Sequence, residues 1–237
     1  MAPIREYNNW NIRDNDKSEQ IDPYRHYYLL CEGQNTERYY FEKIIDIRKY
    51  LGISSNINIT YLEKTGNDRS TSAPKKLIEL ADSFVSEKGE EFDLEFDKII
   101  LVFDLDIYET KQNDFTRVVE SARNKGYLIA ATNPSFELFL MLHKNNSLND
   151  IIKPNEDDIV KNEWVQLEDG SKKRFINDLF YRMFCFDPKS DEAVGEFAKD
   201  LKIAIVQEKS INQDYNKSQG VLTSNIGLTM DNIIQNI

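Results

Sequence analysis

Three acidic residues, Glu32, Asp104 and Asp106, could share one hard divalent cation if the fold brings them together. The pair Asp104-Leu105-Asp106 follows an apolar run at residues 99–103, which reads as a buried strand. Alternate residues leaving a strand point the same way, so both carboxylates face one site and Leu105 turns back to the core. Glu32 ends another short apolar run, residues 26–32, and is followed by Gly33, where backbone can approach closely. Carboxylates packed together raise one another's pKa unless a cation lies between them. An oxygen-only donor set suits Mg2+ or Mn2+. Two histidines and two cysteines, with no CxxC, argue against zinc. Two more acids are candidates for the same cluster. Glu37 lies in the first turn of the helix after Glu32, and Glu137 in the first turn of one that starts at Asn133-Pro134. With them a second ion could bind, and two ions about 3.5–4 Å apart form the usual clamp for in-line phosphodiester cleavage. Each residue also has a plainer reading. Strand-end acids are commonly just solvated, first-turn acids favour the helix dipole with no further role, and Gly33 can be a simple turn glycine.

Such a site needs strands that end side by side. Apolar and β-branched runs predict strands at residues 26–32, 57–62, 98–104 and 127–131. Between them, apolar spacing predicts a helix from Asn35 or Thr36, as cap, to Leu51, closed by Gly52. Others run from Pro74 through Val85 and from Asp114 to Lys125, closed by Gly126. A further helix, 133–143, takes Asn133 as cap and Pro134 at its first position. This alternation predicts an α/β fold with a parallel sheet between helical layers. Ligands bind at the carboxyl ends of the strands in such sheets, where the acids stand. After residue 146 the character changes. Residues 147–171 are polar, and helices are expected at 174–186, 191–208 and 223–237. The expected organisation is an N-terminal arm, 1–23, an α/β core, 24–146, and a mainly helical C-terminal region, 147–237, acting as a cap.

Composition narrows the function classes. In 237 residues, 41 Asp and Glu outnumber 30 Lys and Arg, for a net charge of −11. Phosphate backbones reward basic surfaces, so this balance cuts against a free-standing nucleic-acid binder. Either a bound metal neutralises a carboxylate cluster, or a partner supplies positive surface. No apolar run approaches a membrane span, and the first residues show no secretory pattern. Cys31 and Cys185 have no framework spacing, so a reduced, cytoplasmic compartment is expected. The number of copies that assemble is left open.

Three segments resemble the RloB family. They are Cys31-Glu32-Gly33-Gln34-Asn35-Thr36-Glu37 with Tyr40-Phe41, then Val102-Phe103-Asp104-Leu105-Asp106, then Asn133-Pro134-Ser135-Phe136-Glu137-Leu138 running on to Leu142-His143. The ending, with Asn225, Ile226 and Gly227 at a helix start, is similar as well. The resemblance implies a Toprim-like fold, the α/β metal site shared by topoisomerases, primases and OLD-type nucleases. It implies metal-binding roles for Glu32, Asp104 and Asp106, and assigns Glu37 and Glu137 to the further acidic positions of OLD-type enzymes. One spacing departs from that pattern, since Glu37 follows Glu32 by five residues rather than four. The resemblance further implies an ATPase partner, a role in bacterial defence against phage, and a lysine beside the scissile phosphate. Lys172, Lys173 and Lys217 are the candidates for that lysine.

Three functions compete. The first is a Mg2+- or Mn2+-dependent nuclease acting on RNA, with tRNA one candidate, or on DNA. The second is a Toprim-like regulatory or binding module that partners an ATPase without turnover. The third takes Asp104 and Asp106 as a phosphatase-type nucleophile and acid, against which stand Tyr108, where a small hydroxyl residue is usual, and an unexplained Glu32. His143 reads as a core or cap histidine, and Tyr39, Tyr40 and Phe41 as core. Residues 66–69, Gly-Asn-Asp-Arg, read as a turn that could face substrate. Lys172, Lys173 and Arg174 form the most compact basic spot near the cap.

Overall fold

A computed structural model describes residues 24–33, 35–63, 74–106 and 112–236. The arm at 1–23, Gln34, the 66–69 loop and Tyr108 lie outside the described residues. In chain order the strands are β1 (Arg25–Cys31), β2 (Ile57–Tyr61), β3 (Asp97–Asp104), β4 (Leu128–Asn133), β5 (Trp164–Gln166), β6 (Lys172–Arg174) and β7 (Thr223–Ser224). The α-helices are α1 (Thr36–Asp46), α2 (Arg48–Leu51), α3 (Pro74–Lys88), α4 (Gln112–Asn124), α5 (Phe136–Met141), α6 (Glu156–Lys161), α7 (Phe175–Phe184), α8 (Leu201–Glu208) and α9 (Ile226–Gln235).

The fold is α/β, as the alternation predicts. Among the described residues, five strands pair in the order β2-β1-β3-β4-β7. The first four run parallel and β7 runs antiparallel on β4. β1 and β3 are neighbours, with Cys31 opposite Val102, so the two acidic strand ends stand side by side. β3 is buried from Ile99 to Phe103, as a central parallel strand covered on both faces must be. Its alternating side chains feed two apolar clusters. Ile100 and Val102 join a large one with Tyr40, Phe41 and Phe139, while Ile99, Leu101 and Phe103 join another with Leu77, Val118 and Ala122.

The large cluster runs on into residues 147–237, taking in Phe180, Leu201 and Met230. That segment is less uniformly helical than its pattern suggests. β5 and β6 form a two-stranded hairpin within the stretch read as polar loop. Residues 192–200 form a 3-10 helix leading into α8, and β7 precedes α9 where one helix was expected. The helix expected to end at Leu51 is interrupted at Ile47.

Two helix caps also differ from expectation. Asn133 ends β4 and its amide donates to the carbonyls of Ser218 and Val221, so it ties a distant loop rather than capping α5. Asn35 and Thr36 do not cap α1 through their side chains. They donate instead to the carbonyls of Lys189 and Pro188, at 3.0 and 3.1 Å. In each case a long-range carbonyl takes the side-chain donor and turns the side chain to a tertiary contact, away from the position in which its oxygen would accept from a first-turn N–H.

His143 is core, 2% exposed. Its Nδ1 faces the Phe139 carbonyl at 3.0 Å, which can only accept, so Nδ1 carries the proton. Nε2 then accepts from the Tyr40 hydroxyl at 2.9 Å. Burial lowers the imidazole pKa to about 4, keeping the ring neutral at ordinary pH. No described helix is long and apolar enough to cross a membrane.

Candidate active site

At the carboxyl ends of β1 and β3 lies a cleft of about 350 Å³, and Glu32, Glu37, Asp104, Asp106 and Glu137 all line it. In the sequence these acids lie in three separate segments, and the fold brings all five together. Glu32 continues the parallel pairing one residue past β1, its N–H donating to the Val102 carbonyl at 2.8 Å. Its Oε2 accepts from the Asp104 backbone N–H at 3.2 Å, which seats the glutamate against the end of β3. Leu105 is 3% exposed and packed in the second apolar cluster. Asp104 and Asp106 therefore share the cleft side, as strand alternation requires.

Gly33 is more than a turn residue. Its N–H donates to Glu37 Oε1 at 3.1 Å. A Cβ at this position would stand 1.9 Å from Glu37 Oε2, so only glycine lets the Glu37 carboxylate fold over the backbone. Glu137 is 4% exposed and receives the Ser135 hydroxyl at 2.5 Å and the Asn177 amide at 3.2 Å. Asp104 accepts from the Thr132 hydroxyl at 2.9 Å, across the β3–β4 register where the two residues are opposite.

The electrostatics single out Asp104. Burial first, then the charges of Glu37, Glu137, Glu32 and Asp106, hold its carboxyl well above the ordinary carboxylate range. Among the described residues, no group of three or more acidic, histidine or cysteine side chains already stands in an ion-holding arrangement. Glu32, Glu37, Asp104 and Glu137 each accept from protein donors instead, as mutually repelling carboxylates do. The donor set itself is all oxygen and anionic, which fits a hard divalent ion in one or two positions and does not fit zinc.

Several cleft residues escape a reading of the sequence alone. Among the described lining residues the cations are Arg174 and Lys189. Lys189 is carried by the segment that Asn35 and Thr36 hold, and the only local signal was the Asp187-Pro188 break before it. Arg174 belongs to the basic spot already noted, and Asn177 follows in α7. Lys172, Lys173 and Lys217 do not line the cleft. Lys173 pairs with Asp187 at 3.7 Å and Lys217 with Asp214 at 3.0 Å.

Comparison with curated proteins and with solved structures finds no match. A family model described as RloB-like protein matches residues 27–237, nearly the whole chain and every acid of the cleft. The chain belongs to the RloB-like family.

Proposed function

We propose that the cleft is the active site of a metal-dependent nuclease that cuts phosphodiester bonds in RNA, with tRNA one candidate, or in DNA. One observation carries the reading: five carboxylates surround the end of β3 in a single cleft, with Arg174 and Lys189 on its wall. Glu32, Asp104 and Asp106 would hold one Mg2+ or Mn2+, and Glu37 and Glu137 would complete a second position. A metal bound there would polarise the phosphoryl oxygen and supply hydroxide at neutral pH. Thr132 orients Asp104 and Ser135 orients Glu137, while Arg174 and Lys189 offset phosphate charge. A net charge of −11 disfavours unaided capture of nucleic acid, which suits an effector held in check by an ATPase partner in anti-phage defence.

The test is cleavage of tRNA, single-stranded RNA and DNA with Mg2+ or Mn2+, comparing wild type with Glu32→Gln and Asp104→Asn. Loss of about a hundredfold or more in rate is expected for each variant. Equal cleavage by all three proteins would contradict the proposal. One observation favours a non-catalytic module instead: Glu32, Glu37, Asp104 and Glu137 are engaged by protein donors. Absence of heat on calorimetric titration with Mg2+ and Mn2+, with ATPase binding retained, would select that reading.

A further inference from the structure

The acidic cleft needs a neighbouring surface that can hold a polyanion, and the β5–β6 hairpin offers one. Its register sets Trp164 opposite Arg174 and Gln166 opposite Lys172. These four residues share one face and all are exposed, whereas Val165 and Lys173 lie half-buried on the other. Trp164 is 61% exposed, an unusual state for so large an apolar ring. Arg174 connects this face to the cleft. It lines the cleft, its guanidinium carbon stands 4.7 Å from the centre of the indole, and its Nη1 donates to the Asn162 carbonyl at 3.0 Å. The acids of the hairpin, Glu168 and Asp169, are at the turn end, and Asp169 accepts from the hydroxyl and N–H of Ser171. The end nearest the cleft thus pairs an exposed indole with Arg174, and Lys172 follows on the same face toward the turn, inside a chain of net charge −11.

We infer that this hairpin face is the binding platform for single-stranded nucleic acid, feeding the strand to the cleft. The inference rests on the nuclease reading of that cleft. An open indole face stacks on an unpaired base, which a duplex does not present, and the flanking cations take the adjoining phosphates. A single strand matches both features at once.

Anisotropy of labelled single-stranded RNA and DNA in EDTA tests it, with a duplex of the same length for comparison. Wild type is expected to prefer the single strands, and binding should quench indole fluorescence. Trp164→Ala should weaken binding about tenfold or more and remove the quench, leaving only Trp10 as background. Lys172→Glu, also at an exposed position, should weaken binding and flatten its salt dependence. Single-strand affinities equal to wild type in both variants, a preference for duplex, or no binding by wild type would each overturn the platform. Loss of ATPase-partner binding in Trp164→Ala with unchanged nucleic-acid affinity would do the same and mark a protein interface. Glu32→Gln separates the two ideas: it should bind strands like wild type and not cut them. Normal cutting by Glu32→Gln would defeat the nuclease reading alone, while the Trp164 and Lys172 results would still decide the platform.

Discussion

Asp104→Asn should melt several degrees above wild type in EDTA, and should lose the further rise that Mg2+ or Mn2+ gives wild type. The variant removes a half-buried charge that four other carboxylates face, while asparagine's oxygen can still accept from the Thr132 hydroxyl. The pH dependence has a definite sign. A carboxyl whose folded pKa is raised favours folding below its unfolded pKa, and that contribution is lost as pH rises through the folded value. The advantage of Asp104→Asn over wild type should therefore grow with pH, from none in strong acid to its full size once pH exceeds the raised folded pKa. For a chain of this size each kcal/mol moves the melting temperature by about 2–4 °C, so differential scanning calorimetry across pH reads the effect directly. Metal reverses the ranking, because an ion that binds only the folded wild-type site stabilises it by mass action. Equal melting temperatures at neutral pH in EDTA would contradict the crowding of charge around Asp104.

Glu208→Ala should cost about 3–5 kcal/mol of folding stability, measured as a shift of the urea midpoint. Glu208 is the last residue of α8 and is fully buried. One carboxylate oxygen accepts from the Ser224 hydroxyl at 2.5 Å and the Gly227 N–H at 2.8 Å. The other accepts from the Leu228 N–H at 2.7 Å and the Gln213 amide at 3.0 Å. Two of these donors are unpaired first-turn amides of α9, where the helix dipole also favours a negative charge. Truncation strands the donors inside the core. Burial raises the Glu208 pKa, against the pull of its four hydrogen bonds. The same contact explains Gly227, where a Cβ would stand 2.7 Å from Glu208 Oε2. The anchor matters for the cleft because β7, just ahead of α9, pairs with the end of β4, from which the chain turns toward Glu137. A cost below about 1 kcal/mol would show that this anchor is not what holds the C-terminal helix.

The half of the fold that carries the acids was legible because its signals are local. β1 and β3 are apolar runs that end in Glu32 or Asp104, and Gly52 and Gly126 mark helix ends at positive φ. Which strands pair is a long-range matter, so the sequence supported convergence of Glu32 and Asp104 only on the condition that β1 and β3 were neighbours. β5, β6 and β7 contain two or three residues each, too few for a period to show. The cleft's other wall was illegible for a related reason. Lys189 reaches it through a segment bonded to Asn35 and Thr36 across more than 150 positions, and those two residues looked locally like helix caps. Asn133 misled in the same way, since its partners at 218 and 221 are distant in the chain.

Five carboxylates, at the ends of β1 and β3 and the starts of α1 and α5, are proposed to form a hard-metal site. An anomalous-scattering map from a crystal soaked in Mn2+ tests it most directly. One peak bounded by Glu32, Asp104 and Asp106, with a second beside Glu37 and Glu137 if two ions bind, is the predicted result. A map with no peak in this cleft, at Mn2+ concentrations that saturate cleavage, would contradict it.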